Sequence, residues 1–146
     1  MATKEELDSV YMQTAILHST LSKANRLKVG ACLVLDSGVM IGGTNGLPKL
    51  LGNSLEYFDD ESKEFITKKE VIHAEQSCLN KACVEGLSTK GARMYINYSC
   101  CAHCASNMIA CGIVEVIYLN DYRDYHGIDL LRRSNIAVRK IERESR

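Results

Sequence analysis

The sequence lacks an excess of charge of either sign. Its 18 Lys and Arg residues balance 18 Asp and Glu residues, so the formal net charge is zero. A domain that binds nucleic acid usually shows a clear basic excess, so this balance argues against a polynucleotide partner. A small phosphate-bearing ligand stays open, because it needs only a few local cations.

Long apolar runs and a leader segment are also missing. No stretch approaches the run of about eighteen apolar residues that a membrane-spanning helix needs. The opening residues MATKEELDSV lack the apolar segment of a signal peptide. The seven cysteines are an odd number, which suits reduced thiols and metal ligands better than a disulfide framework. We therefore expect a cytoplasmic protein without membrane contact.

The 146 residues suit one domain with a sizeable core, over residues 1–146. Residues 45–69 show no clean periodicity, and we interpret them as a functional flap with one helical turn. The remaining order predicts an α/β fold, a three-layer α/β/α sandwich around a mixed five-stranded sheet. Apolar periodicity predicts helices over 5–23, 73–86, 102–112 and 127–135, and strands over 29–36, 39–45, 92–99, 113–120 and 136–141.

Two short motifs fall at the starts of successive predicted helices. His73 and Glu75 begin one helix, and Cys101 and Cys104 begin the next. One imidazole and two thiolates are natural Zn²⁺ ligands, and three protein ligands leave a fourth position for water, as in catalytic sites. The C-x-x-C step lets two sulfurs bind one ion where the helix dipole stabilises thiolates. Glu75 leaves the helix in another direction than His73, so we expect it to act on that water as a general base.

Each motif alone is weakly informative. A C-x-x-C step also suits a redox pair or a structural zinc site, and an acidic first helical turn explains H-x-E. Together, with one strand between them, the motifs predict a catalytic zinc. Cys100 is an alternative ligand to Cys101, but the pair Cys101 and Cys104 keeps the required spacing. The other cysteines fit core positions as small hydrophobic residues: Cys32, Cys78, Cys83 and Cys111.

His73-Ala74-Glu75 and the later C-x-x-C resemble the H-x-E and P-C-x-x-C signature of the zinc-dependent cytidine and deoxycytidylate deaminase superfamily. The stretches VGACLVLDSGVMIGGTNGLP, GARMYINYS and GIVEVIYLNDYRD are similar to dCMP deaminases of phage or bacterial type. The likeness is poorest over residues 50–70. Cys100 replaces the Pro of the signature, and the flap lacks the extra Cys and His of a second zinc site. We therefore expect one Zn²⁺ per chain.

The resemblance implies a cytidine deaminase-like fold and hydrolytic deamination of dCMP to dUMP and ammonia, which feeds thymidylate synthesis. It implies that His73, Cys101 and Cys104 hold the zinc, while Glu75 moves protons between water, ring N3 and the leaving amino group. It also implies that the backbone amide of Ala74 contacts the base carbonyl.

Further substrate contacts are expected around the same pocket. The family places Asn45 on the sugar 3′-hydroxyl, with a plain Asn-Gly turn as the less favoured alternative. Arg26 and Lys28 precede the first strand as candidates for the 5′-phosphate, against the alternative of solvated loop charges. Tyr122 follows a strand's carboxyl end, where ligands tend to bind, and Ser99 ends the strand before the cysteines.

Other readings of the motifs stay open. Cytidine, cytosine, guanine or tRNA adenosine is an alternative substrate, and a non-catalytic zinc module is an alternative of another class. The stretch TNGLP and the Tyr122 loop favour a nucleotide, and Glu75, unnecessary as a ligand, argues against a module. The resemblance implies a homo-oligomer, with a hexamer favoured, and dCTP (with Mg²⁺) and dTTP as effectors. A phage-encoded member would work in the host cytoplasm.

Overall fold

A computed structural model describes residues 1–143, so the last three residues of the expected domain lie outside the described part. The predicted α/β order is confirmed: a first helix and two β-hairpins are followed by alternating helices and strands. In chain order the elements are α1 (Lys4–Ser19), β1 (Gly30–Val34), β2 (Met40–Thr44), β3 (Glu56–Asp59), β4 (Glu64–Thr67), α2 (Ala74–Val84), β5 (Arg93–Tyr98), α3 (Ala102–Ala110), β6 (Glu115–Asn120), α4 (His126–Arg133) and β7 (Ala137–Lys140).

Five of these strands form the predicted mixed sheet, in the order β2-β1-β5-β6-β7. β1 pairs antiparallel with both β2 and β5, whereas β5, β6 and β7 run parallel to one another. Parallel strands end at the same edge of a sheet, so the segments that follow β5 and β6 emerge side by side. The backbone N–H of Ser99, after β5, donates to the carbonyl of Asn120 at the end of β6, at 2.9 Å.

Helices cover both faces of the sheet, which confirms the three layers. Successive side chains of a strand point to opposite faces, and β1 is buried along its whole length. Leu33 packs in the cluster that contains the buried residues of α2, α3 and α4. Val34 packs with Met12 of α1 in the cluster on the other face.

The approach of α1 to β1 requires a glycine. A Cβ atom at Gly30 would lie 1.9 Å from the carbonyl oxygen of Ala15, far inside van der Waals contact. Helix α1 ends at Ser19, short of the predicted residue 23. The hydroxyls of Ser19 and Thr20 donate to helix carbonyls at 2.5 and 2.6 Å, a local bonding pattern that competes with helix continuation.

An ion-pair network joins α1 to the far half of the sheet. The guanidinium of Arg139 forms two bonds to the carboxylate of Asp8, at 2.9 and 3.0 Å, and a third to Glu115, at 2.8 Å. The buried hydroxyl of Tyr95 donates to Asp8 at 2.5 Å. Burial alone would raise the pKa of Asp8, but the bonds from Arg139 and Tyr95 outweigh it and hold the pKa below its usual value.

Two further sequence-based expectations about the fold were wrong. The flap contains the two-stranded hairpin β3–β4 and no helical turn. The sequence did not indicate the hairpin, because its strands are only four residues long and their period-2 signal is short. Cys83 is exposed, not a core residue, since its neighbour Ala82 takes the buried face of α2. No helix within residues 1–143 combines the length and hydropathy of a membrane span.

Candidate active site

The starts of α2 and α3 bring together one imidazole and two thiols. His73 is the N-cap of α2 and Cys101 is the N-cap of α3, with Cys104 one turn further on. The Sγ atoms of Cys101 and Cys104 lie 3.6 and 3.3 Å from Nδ1 of His73. The positive ends of both helix dipoles therefore meet at this cluster, where they favour thiolates.

The three donor atoms fit a tetrahedral zinc ion. They all lie within 4.8 Å of one another. Zinc bonds of about 2.3 Å to sulfur and about 2.1 Å to nitrogen, at tetrahedral angles, separate a nitrogen and a sulfur ligand by about 3.6 Å. The two Nδ1–Sγ distances lie close to that edge, so the cluster fits one ion.

The two thiols are electrostatically distinct. A hydrogen bond from Cys104 is the main effect that lowers the pKa of Cys101, to about 3, and so makes it the thiolate of the pair. That thiolate in turn raises the pKa of His73. Metal ligation requires deprotonated sulfur and a neutral imidazole, so a bound ion would displace the protons that this cluster shares.

Glu75 lies beside the cluster without belonging to it. Its side chain is buried, at 4 % exposed, and lies within hydrogen-bonding reach of the Cys104 thiol. Burial raises the pKa of Glu75 above its usual value, and this effect outweighs the lowering by nearby donors and by His73. A buried carboxyl with a raised pKa can both accept and return a proton, as a general acid–base group must.

Cys100 does not join the donor cluster formed within residues 1–143, which consists of His73, Cys101 and Cys104. Its thiol is buried, and burial raises its pKa far above the usual value. Helix α4 packs directly on this loop: a Cβ atom at Gly127 would lie 2.2 Å from the carbonyl oxygen of Cys100 and 2.8 Å from that of Cys101. Glycine at this position therefore lets α4 support the backbone that carries the cysteines.

A cavity of about 380 Å³ opens from the cluster, a size suited to a small ligand. Of the residues predicted from sequence, it is lined by Arg26, Asn45, His73, Ala74, Glu75, Ser99, Cys101 and Tyr122. Lys28 is not brought into it. The ammonium group of Lys28 donates instead to the carbonyl of Ser22, at 3.0 Å.

Two asparagine side chains hold the loop that precedes β1. Asn45 accepts the N–H of Val29 at 3.1 Å and donates to the carbonyl of Leu27 at 2.8 Å. Asn97 accepts the N–H of Gly30 at 2.9 Å and donates to the carbonyl of Lys28 at 3.1 Å. The two amides thus bind four backbone groups in succession and fix the wall that carries Arg26.

The loop after β6 is held in a similar way. The Ser99 hydroxyl accepts the backbone N–H of Tyr122 at 2.8 Å, which places the tyrosine at the cavity. Ala74 is the first residue of α2, a position whose N–H has no partner within the helix. Ala74 also lines the cavity, beside His73 and Glu75.

Sequence reasoning missed the wall that the hairpin supplies. Glu56 and Thr67, directly opposite each other in β3 and β4, both line the cavity. The aromatic and β-branched residues in EYFD and EFIT, on either side of the polar segment DESK, were the available signal. Asn97 was missed because nothing local distinguishes it from a surface asparagine; its partners lie nearly 70 residues away, with separations of 67 and 69.

Comparison with known proteins agrees with this geometry. The family profile for the cytidine and deoxycytidylate deaminase zinc-binding region matches residues 5–120. The chain belongs to this family. The match spans both zinc motifs, so the signature resemblance is confirmed over most of the chain.

Similar proteins of this family include both solved structures and sequences of known deaminases. The dCMP deaminase of cyanophage S-TIM5, solved with dCMP and dUMP, superposes with a TM-score of 0.84 and 33% identity, over 96% of this chain and 100% of that chain. The deoxycytidylate deaminase of Homo sapiens is 31% identical over 85% of this chain and 69% of its own length. That of Saccharomyces cerevisiae is 29% identical, and the alignment spans 44% of its length.

Proposed function

We propose that this chain hydrolyses dCMP to dUMP and ammonia, with one zinc ion held by His73, Cys101 and Cys104. The observation that carries the proposal is the buried Glu75 carboxyl beside a tetrahedral set of zinc donors, at the end of a nucleotide-sized cavity. The similar cyanophage enzyme, whose structure contains dCMP and dUMP, supports the choice of substrate.

When bound, Zn²⁺ supplies Lewis-acid activation of the attacking water. Glu75 carries out the proton transfers: its carboxylate takes a proton from that water and delivers it to ring N3 as the oxygen adds to C4. It then passes the second proton to the amino group, which leaves as ammonia. Overall, one water and one dCMP give one dUMP and one ammonia. Burial keeps the Glu75 carboxyl able to return the proton.

The remaining contacts are proposed to bind the base, the sugar and the phosphate of the substrate at different places along the cavity. The Ala74 amide is proposed to bind the base carbonyl and Asn45 the sugar 3′-hydroxyl. Tyr122, fixed by Ser99, packs on the sugar. Arg26 is proposed to bind the 5′-phosphate, since its guanidinium lines the cavity and offers two parallel donors.

Ammonia release from a substrate panel tests the proposal. Zinc-loaded protein is incubated with dCMP, deoxycytidine, cytidine, cytosine and guanine at equal concentration. We expect dCMP to react fastest, with Glu75→Gln as the inactive control. Faster ammonia release from cytosine or guanine than from dCMP would contradict the proposed substrate. A folded, zinc-loaded protein that releases no ammonia from any of them would instead indicate a structural zinc module.

Assembly and regulation remain part of the proposal. All seven cysteines are free thiols, which suits the reducing cytoplasm. A hexamer, activated by dCTP with Mg²⁺ and inhibited by dTTP, follows from the resemblance alone. Sedimentation of the purified protein measures the assembly. Identical dCMP saturation curves with and without dCTP would refute the proposed regulation.

A further inference from the structure

The first turn of α4 lies directly against the loop that carries the cysteines. A Cβ atom at Gly127 would lie 2.2 Å from the carbonyl oxygen of Cys100 and 2.9 Å from its carbonyl carbon, and 2.8 Å from the carbonyl oxygen of Cys101. Side-chain Cβ atoms essentially never approach a backbone atom within 3.0 Å. A residue with a side chain at this position would therefore push α4 and the loop apart.

The backbone conformation does not require glycine at this position. Gly127 is the second residue of α4, and it is not among the glycines with a positive φ, such as Gly86 and Gly112. Glycine within a helix is less favourable than alanine, because it loses more backbone freedom on folding. The short distance between the helix and the loop is therefore the feature that accounts for glycine here.

Helix α4 is held firmly, so the loop is the partner that would move. Ile128 and Leu131 of α4 are 2 % and 0 % exposed, in the core cluster that also contains Cys100 and Cys104. Retreat of the helix would open a cavity beside both side chains, which is costly. Cys101 is only partly buried, and its backbone is extended, outside the helix. A push from α4 would therefore displace the peptide groups around Cys101.

A displacement at Cys101 reaches both sulfur ligands. Cys101 supplies one sulfur, and its carbonyl accepts the N–H of Ala105 at 3.0 Å, in the first turn of α3. The same turn carries Cys104, which supplies the other sulfur. A good metal site keeps its ligand distances to within about 0.2 Å. The 2.2 Å approach at Gly127 falls short of 3.0 Å by more than this tolerance, so a Cβ atom there would disturb the ligand set.

We propose that Gly127 is a positioning residue for the metal: it lets α4 hold the peptide of Cys100 and Cys101 in place, and so sets the geometry of the sulfur ligands and the zinc affinity. This inference rests on the zinc site of the proposed function and on no particular substrate. Gly127 acts through the cysteine backbone and supplies no ligand atom. Helix α4 also begins shortly after Tyr122, so the same contact joins the substrate wall to the metal end of the cavity.

The test compares Gly127→Ala with the matched control Gly30→Ala. A Cβ atom at Gly30 would also meet a backbone atom, the carbonyl oxygen of Ala15, but on the face of the sheet that α1 covers. Zn²⁺ affinity is measured by competition with a chromophoric chelator. In Gly127→Ala we expect it to fall about 10-fold to 100-fold, the range for residues that act on a metal through its ligands, whereas Gly30→Ala should stay within about threefold of wild type.

Two further readouts separate altered ligation from lost stability. Co²⁺ bound in place of Zn²⁺ reports the ligand geometry through its visible absorption bands, which should shift in Gly127→Ala and not in Gly30→Ala. If Gly127→Ala does not fold, the milder pair Ile128→Val and Ile113→Val decides. Both changes remove one methyl group from the same core cluster, but only Ile128 belongs to α4. Zinc release from loaded protein into excess chelator should be at least about twofold faster in Ile128→Val than in Ile113→Val.

Several results would overturn the role of Gly127. In the glycine pair they are a zinc affinity of Gly127→Ala within about threefold of wild type, a loss that Gly30→Ala matches, or unchanged Co²⁺ bands. In the isoleucine pair the refuting result is equal release of zinc. Wild-type protein that binds no zinc refutes the metal site itself, and with it the proposed function, before any variant is compared.

Discussion

Replacing Asn97 with Ala tests whether the two-asparagine clamp holds the substrate wall. The substitution removes both side-chain bonds, so the buried N–H of Gly30 and the carbonyl of Lys28 lose their partners. An unsatisfied buried group costs about 1–3 kcal/mol. The Lys28 carbonyl is only partly buried, so water recovers part of its loss. We therefore expect the free energy of unfolding to fall by about 2–4 kcal/mol.

The functional effect should follow from the loop's position. Asn97 itself does not line the cavity described for residues 1–143, but the loop that it holds carries Arg26 and Leu27 into the wall. Displacement of this wall weakens substrate positioning, so KM for dCMP should rise about tenfold while kcat falls less.

The assays are urea unfolding of zinc-loaded protein and steady-state ammonia release. Asn80→Ala is the matched control, because Asn80 is exposed on α2 and surface substitutions there cost within about 0.5 kcal/mol. A loss below about 1 kcal/mol in Asn97→Ala, with KM unchanged, would refute the clamp. A fall in kcat with no rise in KM would show that Asn97 acts on the reacting end instead.

Three further predictions concern the site and the scaffold. Glu75→Gln should lower kcat about 10²-fold to 10⁴-fold, the contribution of a general acid–base group, while zinc content measured by mass spectrometry stays at wild-type level; loss of zinc would make Glu75 a ligand. Cys104→Ser should lose the zinc and Cys100→Ser should keep it; the reverse pattern in the same measurement would reassign the ligands. The low pKa of Asp8 stabilises the fold above its unfolded pKa of about 3.9, and this contribution disappears as pH falls through the lower folded value. The difference in unfolding free energy between wild type and Asp8→Asn should therefore shrink from pH 6 to pH 3, and a constant difference would contradict this coupling.

The zinc motifs were predictable because their geometry is local. His73 and Glu75 share one helical turn, as do Cys101 and Cys104, so spacing alone fixes how each pair is presented. The sheet was also predictable, because the apolar runs of β1 and β6 show directly in the sequence. The hairpin β3–β4 was not, since four-residue strands carry too little periodicity.

The sequence by itself determined the chemistry: one imidazole, two thiols and a carboxyl at two helix starts, together with the sheet that sets those starts side by side. Only the tertiary structure decided which polar residues reach the substrate. It turned Lys28 away, left Cys100 outside the donor cluster and brought Glu56 into the wall. The physical reason is that a ligand set within one turn depends on local backbone geometry, whereas a cavity wall depends on contacts between segments far apart in the chain.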